Sequence, residues 1–233
     1  MARVLLISHE PEAAPGLIGE LLAEHGHDVQ RHIVLTDPQN PDVDFPDVNE
    51  FDAVIAFGSF SNVYDENSRL WVEPEIELIR TTMRDDVPYL GLCFGGQLLT
   101  ESLGGHVEKA PHGSEEIGLL SIEPAGADLP IPQGPWFTWH EDRMVLPGDV
   151  EVLARTDDAI QLFRKGRAVG TQFHPEANVE LVSDWARLGP DHIPSYTSAD
   201  QLIGDLAKAS AVTRANCEVL LEWFLRDIAE VHA

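Results

Sequence analysis

Val87-Pro88-Tyr89-Leu90-Gly91-Leu92-Cys93-Phe94-Gly95-Gly96-Gln97 is the stretch that decides how this chain is read. Val87 to Leu92 is an apolar run of strand character that stops abruptly at Gly-x-Cys-x-Gly. Gln97-Leu98-Leu99-Thr100-Glu101-Ser102-Leu103 then has a helical pattern, closed by Gly104-Gly105. Strand, tight turn and helix in that order are the context a nucleophile elbow requires. Gly91 and Gly95, lacking a Cβ, let neighbouring backbone pack closely around the turn and push the apex side chain outward. The apex is Cys93, and the N-terminus of the following helix favours its thiolate.

A lone cysteine is more often a packing residue, because free cysteine is among the most buried types. The spacing argues against that here. With 2 Cys and 18 Gly in 233 residues, random composition gives Gly-x-Cys-x-Gly about 0.01 times per chain. Cys93 is therefore expected to be a nucleophile for acyl transfer.

The length suits one large domain or two small ones and allows a sizeable core. No run approaches the roughly 18 consecutive apolar residues of a membrane helix, and Met1 to Ser8 reads as a first strand rather than a signal peptide. Two cysteines, Cys93 and Cys217, make no disulfide framework, and a reducing cytoplasm is the expected compartment. The formal net charge of −25 argues against nucleic acid and against anionic membrane surfaces. Only three lysines occur, Lys109, Lys165 and Lys208. Such a surface suits high salt or an acid-rich proteome, and it says nothing of the reaction. His25/His27 and His106/His112 lack metal-site spacing, so no metal or cofactor is expected. Cys217, in a helical run, is read as core.

Outward from the elbow, Arg3–Ser8 and Ala53–Phe57 read as buried strands and His27–Leu35 as a strand nearer an edge. Helices are expected at Leu17–His25 and, capped by Asn67 or Ser68, up to about Arg84. Thr36–Asn49, rich in Pro and Asp, reads as a surface connection. This alternation implies an α/β fold, a mostly parallel central sheet with helices on both faces. Short strands at Glu116–Ile122, Trp136–Trp139, Glu151–Arg155, Ile160–Arg164 and Ala168–Phe173 read as antiparallel additions to the same sheet. A helical tail from about residue 178 follows, Glu180–Arg187 and then Ala199–Val231, the latter expected to break near Lys208–Ala211. The whole, 1–233, is expected to be a single domain.

A cysteine nucleophile needs a base, and the base a group to orient it. His174, in Gln172-Phe173-His174-Pro175-Glu176, lies at the end of a buried strand, where catalytic groups of α/β folds collect. Pro175 favours an extended His174, and positions two apart on extended backbone share a side. Glu176 can then hold one ring nitrogen while the other faces Cys93. An oxyanion would take one backbone N–H from Phe94 and a second from Gly58, which could equally be an ordinary strand-end glycine.

These motifs resemble the class I, triad-type glutamine amidotransferases, and in particular a stand-alone branch similar to the glutaminase part of GMP synthase. The resemblance runs nearly the whole length. It includes Gly58-Ser59-Phe60-Ser61-Asn62-Val63-Tyr64-Asp65, similar to the family's oxyanion loop, Gly113 to Gly118, and Trp139-His140-Glu141-Asp142, similar to a substrate segment. Phe57 and Ser59 or Phe60 depart from the usual Gly-Gly-Pro of that loop. The resemblance implies a flavodoxin-like core and a Cys93, His174, Glu176 triad that turns glutamine into glutamate and ammonia through a γ-glutamyl thioester. It also implies that Gln97, Trp139, His140 and Asp142 hold the substrate's amino-acid end. Gln97 could instead cap or pack, and the 139–142 segment could be a buried strand end.

Two other functions remain open at this point. The same triad could cut γ-glutamyl amines or peptides, with a larger leaving-group pocket. Less favoured is a non-catalytic subunit that binds a partner through its acidic face. With no phosphate-binding Gly-x-x-x-x-Gly-Lys-Ser/Thr loop, any synthetase that takes up the ammonia is expected to be a separate protein.

Overall fold

A computed structural model describes residues 1–126 and 128–231. Strand β1 (Arg3–Ser8) is buried from Val4 onward. Helix α1 (Gly16–Glu24) returns over one face, burying Leu17, Ile18, Leu21 and Leu22. It leads into β2 (Asp28–Ile33), which pairs parallel with β1 at the sheet edge and exposes most of its residues. β3 (Ala53–Ala56) pairs parallel on the other side of β1. Helix α2 (Arg69–Arg84) crosses the opposite face, and β4 (Tyr89–Leu92) and α3 (Phe94–Ser102) complete the elbow. The alternation of a strand sorts the two cores. Val4 and Leu6 pack with α1, whereas Leu5 and Ile7 pack with Trp71, Val72 and Ile76 of α2.

The chain continues through β5 (His106–Lys109), β6 (Glu116–Leu120), β7 (Glu123–Pro124), β8 (Trp136–His140), β9 (Asp142–Val145), β10 (Glu151–Arg155), β11 (Ile160–Lys165) and β12 (Ala168–Thr171). The central sheet has the order β2-β1-β3-β4-β12-β11-β10-β7. Its strands run parallel from β2 to β12, and β11, β10 and β7 are added antiparallel.

Four expectations are corrected. β12 is no antiparallel addition; it lies parallel against β4 and puts its C-terminal end beside Cys93, whose N–H bonds Thr171 O at 2.9 Å. β6 and β8 pair with each other outside the central sheet, as do β5 and β9. The reason is a third core: Phe137 packs with Leu181, Val182 and Trp185 of helix α4 (Val179–Leu188) and with Leu206 of α5 (Ala199–Trp223). An apolar strand face needs burial, and here helices supply it in place of the main sheet. Finally, α5 does not break near 208–211 but runs on into a π-helical turn, Phe224–Ile228. That segment holds neither Pro nor Gly and carries two alanines, the best helix former, so nothing interrupts it. The expected cap of α2 also differs: Ser68 makes no side-chain cap, and Asp65 instead caps a 3₁₀ turn ahead of the helix, accepting from Asn67 N–H.

Candidate active site

β4 delivers Cys93 to the carboxyl edge of the sheet, where α/β folds place their sites. Cys93 has φ +49° and ψ −101°, a conformation that costs a non-glycine residue about 1–3 kcal/mol and persists only where its surroundings impose it. The glycines show how they do so. A Cβ on Gly95 would stand 2.5 Å from Ala56 O, and one on Gly96 2.5 Å from Thr171 O. The helix can start this close to the sheet only without those side chains.

His174 lies just past β12, buried, its N–H bonded to Phe137 O at 2.7 Å. Its Nδ1 meets Glu176 Oε1 at 2.7 Å, which leaves Nε2 free, and both side chains line one cavity with Cys93. The His–Glu contact is made, but by a turn: Ala177 N–H closes on His174 O at 3.3 Å, so residues 174–177 are not extended as expected. Trp185 packs on the imidazole with ring centroids 4.8 Å apart. Burial disfavours the charged ring, yet Cys93 and Glu176 outweigh it and push its pKa up to about 10. The ring is therefore held protonated at neutral pH, next to the Cys93 thiol of the same cavity. Gln172 Nε2 adds a contact to Cys93 Sγ at 3.5 Å.

The loop after β3 faces this pair, and a Cβ on Gly58 would stand 3.0 Å from His174 Cε1. Two successive carbonyls of the loop are tied down. Phe57 O accepts from Gly95 N–H at 3.1 Å, and Gly58 O accepts from His9 Nδ1 at 2.9 Å. The N–H groups of Gly58, Ser59 and Phe94 have no protein acceptor among the described residues. A carbonyl oxygen turning anionic needs donors of that kind.

A cavity of about 250 Å³ opens over Cys93. Gln97, Trp139, His140 and Asp142 all line it, as do Tyr64, Lys109 and Glu141. Tyr64 O–H donates to Asp142 Oδ1 at 2.8 Å, while burial raises the Asp142 pKa against that bond. The His140 ring is engaged elsewhere, with Nδ1 on Asp142 O at 2.9 Å and Nε2 3.0 Å from Glu116 Oε2. Among the described residues, no cluster of three or more His, Cys, Asp or Glu is arranged to hold a metal ion, and no helix is long and apolar enough to cross a membrane.

A family model for class-I glutamine amidotransferases matches residues 18–182. This chain belongs to the class-I glutamine amidotransferase family. The glutamine-hydrolysing GMP synthase of Staphylococcus aureus is 38% identical over 130 residues, which is 53% of this chain and 24% of that protein. The chain thus spans about a quarter of the length of the curated relatives it matches. A glutamine amidotransferase of Thermotoga maritima superposes with a TM-score of 0.83 at 25% identity, covering 95% of this chain and 97% of its own. One from Methylobacillus flagellatus shares the fold, with a TM-score of 0.83 at 22% identity over 97% and 95% of the two chains.

Within this amidotransferase the sequence reading overlooked His9, Glu75, Gln172 and Lys109. A signal existed for two of them. Glu75 shares the helical face of Trp71, Val72, Ile76 and Ile79, an odd place for a carboxylate, and His9 directly follows a buried strand. Gln172 stood in the quoted motif but was read only as part of it.

Proposed function

We propose that this amidotransferase hydrolyses the side-chain amide of glutamine to glutamate and ammonia. The observation that carries this is Cys93 on its left-handed elbow, coupled to a buried imidazole that Glu176 holds at 2.7 Å. In the reaction the Cys93 thiolate attacks the amide carbon. The oxyanion is met by N–H groups of Phe94 and of the loop at Gly58, worth about 10²–10³ in rate per donor. The His174 imidazolium gives its proton to the departing nitrogen, the C–N bond breaks, and ammonia leaves a γ-glutamyl thioester. Water then attacks, giving its proton to the now neutral ring, and the C–S bond breaks to release glutamate and restore the pair. At the amino-acid end, Asp142 and Glu141 suit an ammonium group, Lys109 suits a carboxylate, and Gln97 can bond either. Trp139 supplies an apolar wall, and His140 acts by setting the Asp142 backbone.

One observation favours a second reading. The leaving group must sit beside His174, where Trp185 packs on the ring and Ala13 and Ala14 also line the cavity, apolar surface that ammonia does not need. γ-Glutamyl amines with an apolar amine half would use it. A separate synthetase that consumes the ammonia fits the chain's match to only a quarter of the glutamine-hydrolysing GMP synthases.

The test is ammonia, amine and glutamate release from glutamine and from γ-glutamyl amines, wild type against Cys93→Ala. Turnover of glutamine supports the first reading, and turnover of amines alone supports the second. Equal turnover by Cys93→Ala would remove the assignment. Silence on both substrates, with Cys93 still alkylated, would mean that the site waits on its synthetase.

A further inference from the structure

Against the loop at Gly58, and outside the cavity over Cys93, lies a second histidine–carboxylate pair. His9 and Glu75 are both 0% exposed. His9 follows β1, Glu75 sits on the inner face of α2, and 66 positions separate them. The ring packs against Phe94, with centroids 4.7 Å apart, and Trp71, at 5.4 Å, and those two rings also touch each other. Its Nε2 stands 3.0 and 3.2 Å from the two Glu75 oxygens, and its Nδ1 2.9 Å from Gly58 O.

These contacts constrain the protons. A carbonyl oxygen only accepts, so Nδ1 must carry hydrogen. With a bare Nε2 the ring would turn a lone pair toward a carboxylate, so a proton must also lie between Nε2 and Glu75. Burial opposes charge on the ring, but Glu75 and the Gly58 carbonyl hold its pKa above the ordinary histidine value. A sealed ion pair is no efficient stabiliser, since apolar residues of similar volume often do as well or better. Its geometry, however, does something an apolar pair could not: it takes hold of one peptide group.

We propose that the buried His9–Glu75 pair is the positioning device of the oxyanion loop, locking the Gly58–Ser59 peptide by its carbonyl. In a trans peptide the C=O and N–H point in opposite directions. A carbonyl fixed on His9 therefore fixes the Ser59 N–H on the opposite side and stops the loop from turning its oxygen toward the nucleophile, where it would repel an oxyanion. Phe57 O, bonded to Gly95 N–H, fixes the preceding peptide in the same way, but His9 supplies the second anchor from a side chain. His9 and Glu75 are positioning residues, since neither lines the cavity.

The inference rests on the hydrolase reading, and its test separates the two. Wild type, His9→Ala, His9→Asn and the double variant His9→Asn with Glu75→Gln are compared on glutamine and a γ-glutamyl amine. Cys93 alkylation by iodoacetamide runs in parallel, as a measure of the folded, reactive thiol that needs no oxyanion. His9→Ala should lose about 100-fold in kcat, with KM within about threefold and alkylation unchanged. Asparagine can place an amide N–H near the old Nδ1, so the double variant, which also neutralises the stranded carboxylate, should recover at least about tenfold of that loss. Equal falls in alkylation and turnover, or no recovery, would make the pair structural only and overturn the proposal. Should wild type turn over neither substrate, whether the amidase reading is wrong or the site waits on a synthetase, turnover no longer reports on the loop. The loop is then read directly: in His9→Ala, amide exchange at Gly58 and Ser59 must rise at least about tenfold more than at core amides such as Val54, and a rise no larger than the core's overturns the positioning role.

Discussion

Two buried histidine–carboxylate pairs flank the same loop, and their difference is instructive. His174 and Glu176 are two residues apart in one turn and open onto the cavity, whereas His9 and Glu75 come from different elements and are sealed. Both rings are held above the ordinary histidine pKa against burial, His174 by Cys93 and Glu176 and His9 chiefly by Glu75. What separates them is the third group. On one side it is a thiol that can react, and on the other a peptide carbonyl that can only accept a hydrogen bond. On the proposed reading, the same two side chains support chemistry in one pair and hold geometry in the other, according to what the second ring nitrogen meets.

The sharpest way to test that contrast is to remove the thiol. Cys93→Ala should lose about 10⁴-fold or more in turnover with the far-UV spectrum unchanged. In the same variant His174 should titrate nearer to 6.5 by NMR while His9 does not move, since only His174 loses a charged neighbour. Movement of both rings would dissolve the distinction.

Next in size is Glu176→Gln, expected to lower kcat by about 10²–10⁴ with little change in the far-UV spectrum. It also carries a pH signature. The folded pKa of His174, about 10, lies above the ordinary 6.5, so the stabilisation from its charged form is fully present below about 6.5 and is lost as pH rises through about 10. Removing the carboxylate should move that loss to lower pH in thermal melts. An unmoved profile would mean that Glu176 does not hold the ring's proton.

A reversal of severity is expected in stability. His9→Ala strands Glu75 in a sealed interior and should cost about 3–5 kcal/mol in urea unfolding. His174→Ala opens onto the cavity, where water can reach Glu176, and should cost less than half of that. Equal losses would mean that the two sites are equally enclosed. The smallest effect is at the far end of the cavity. Asp142→Asn keeps the bond to Tyr64 but loses the charge, and KM should rise about tenfold while kcat stays within about twofold.

The pair at 174–176 was legible because local spacing carried it, although the turn that makes the contact was misread as extended backbone. The elbow was legible for a related reason: strand, glycine and helix are consecutive in the chain, so one window contains the motif and its context. The pair at 9 and 75 was not legible, since nothing in either window names the other. β6 and β8 were misassigned because their apolar residues announce burial without saying which surface covers them.

The amino-acid sequence by itself determined the strand–helix alternation, the elbow at Cys93 and the proximity of His174 to Glu176. Each of these depends on residues within a few positions, where chain geometry leaves little choice. Only the tertiary structure decided that β12 lies parallel beside β4, bringing residues 93 and 174 together, and that β1 and α2 bring His9 and Glu75 to the loop at Gly58. Those meetings follow from how whole elements bury their apolar faces, a global balance that no single stretch of the chain contains.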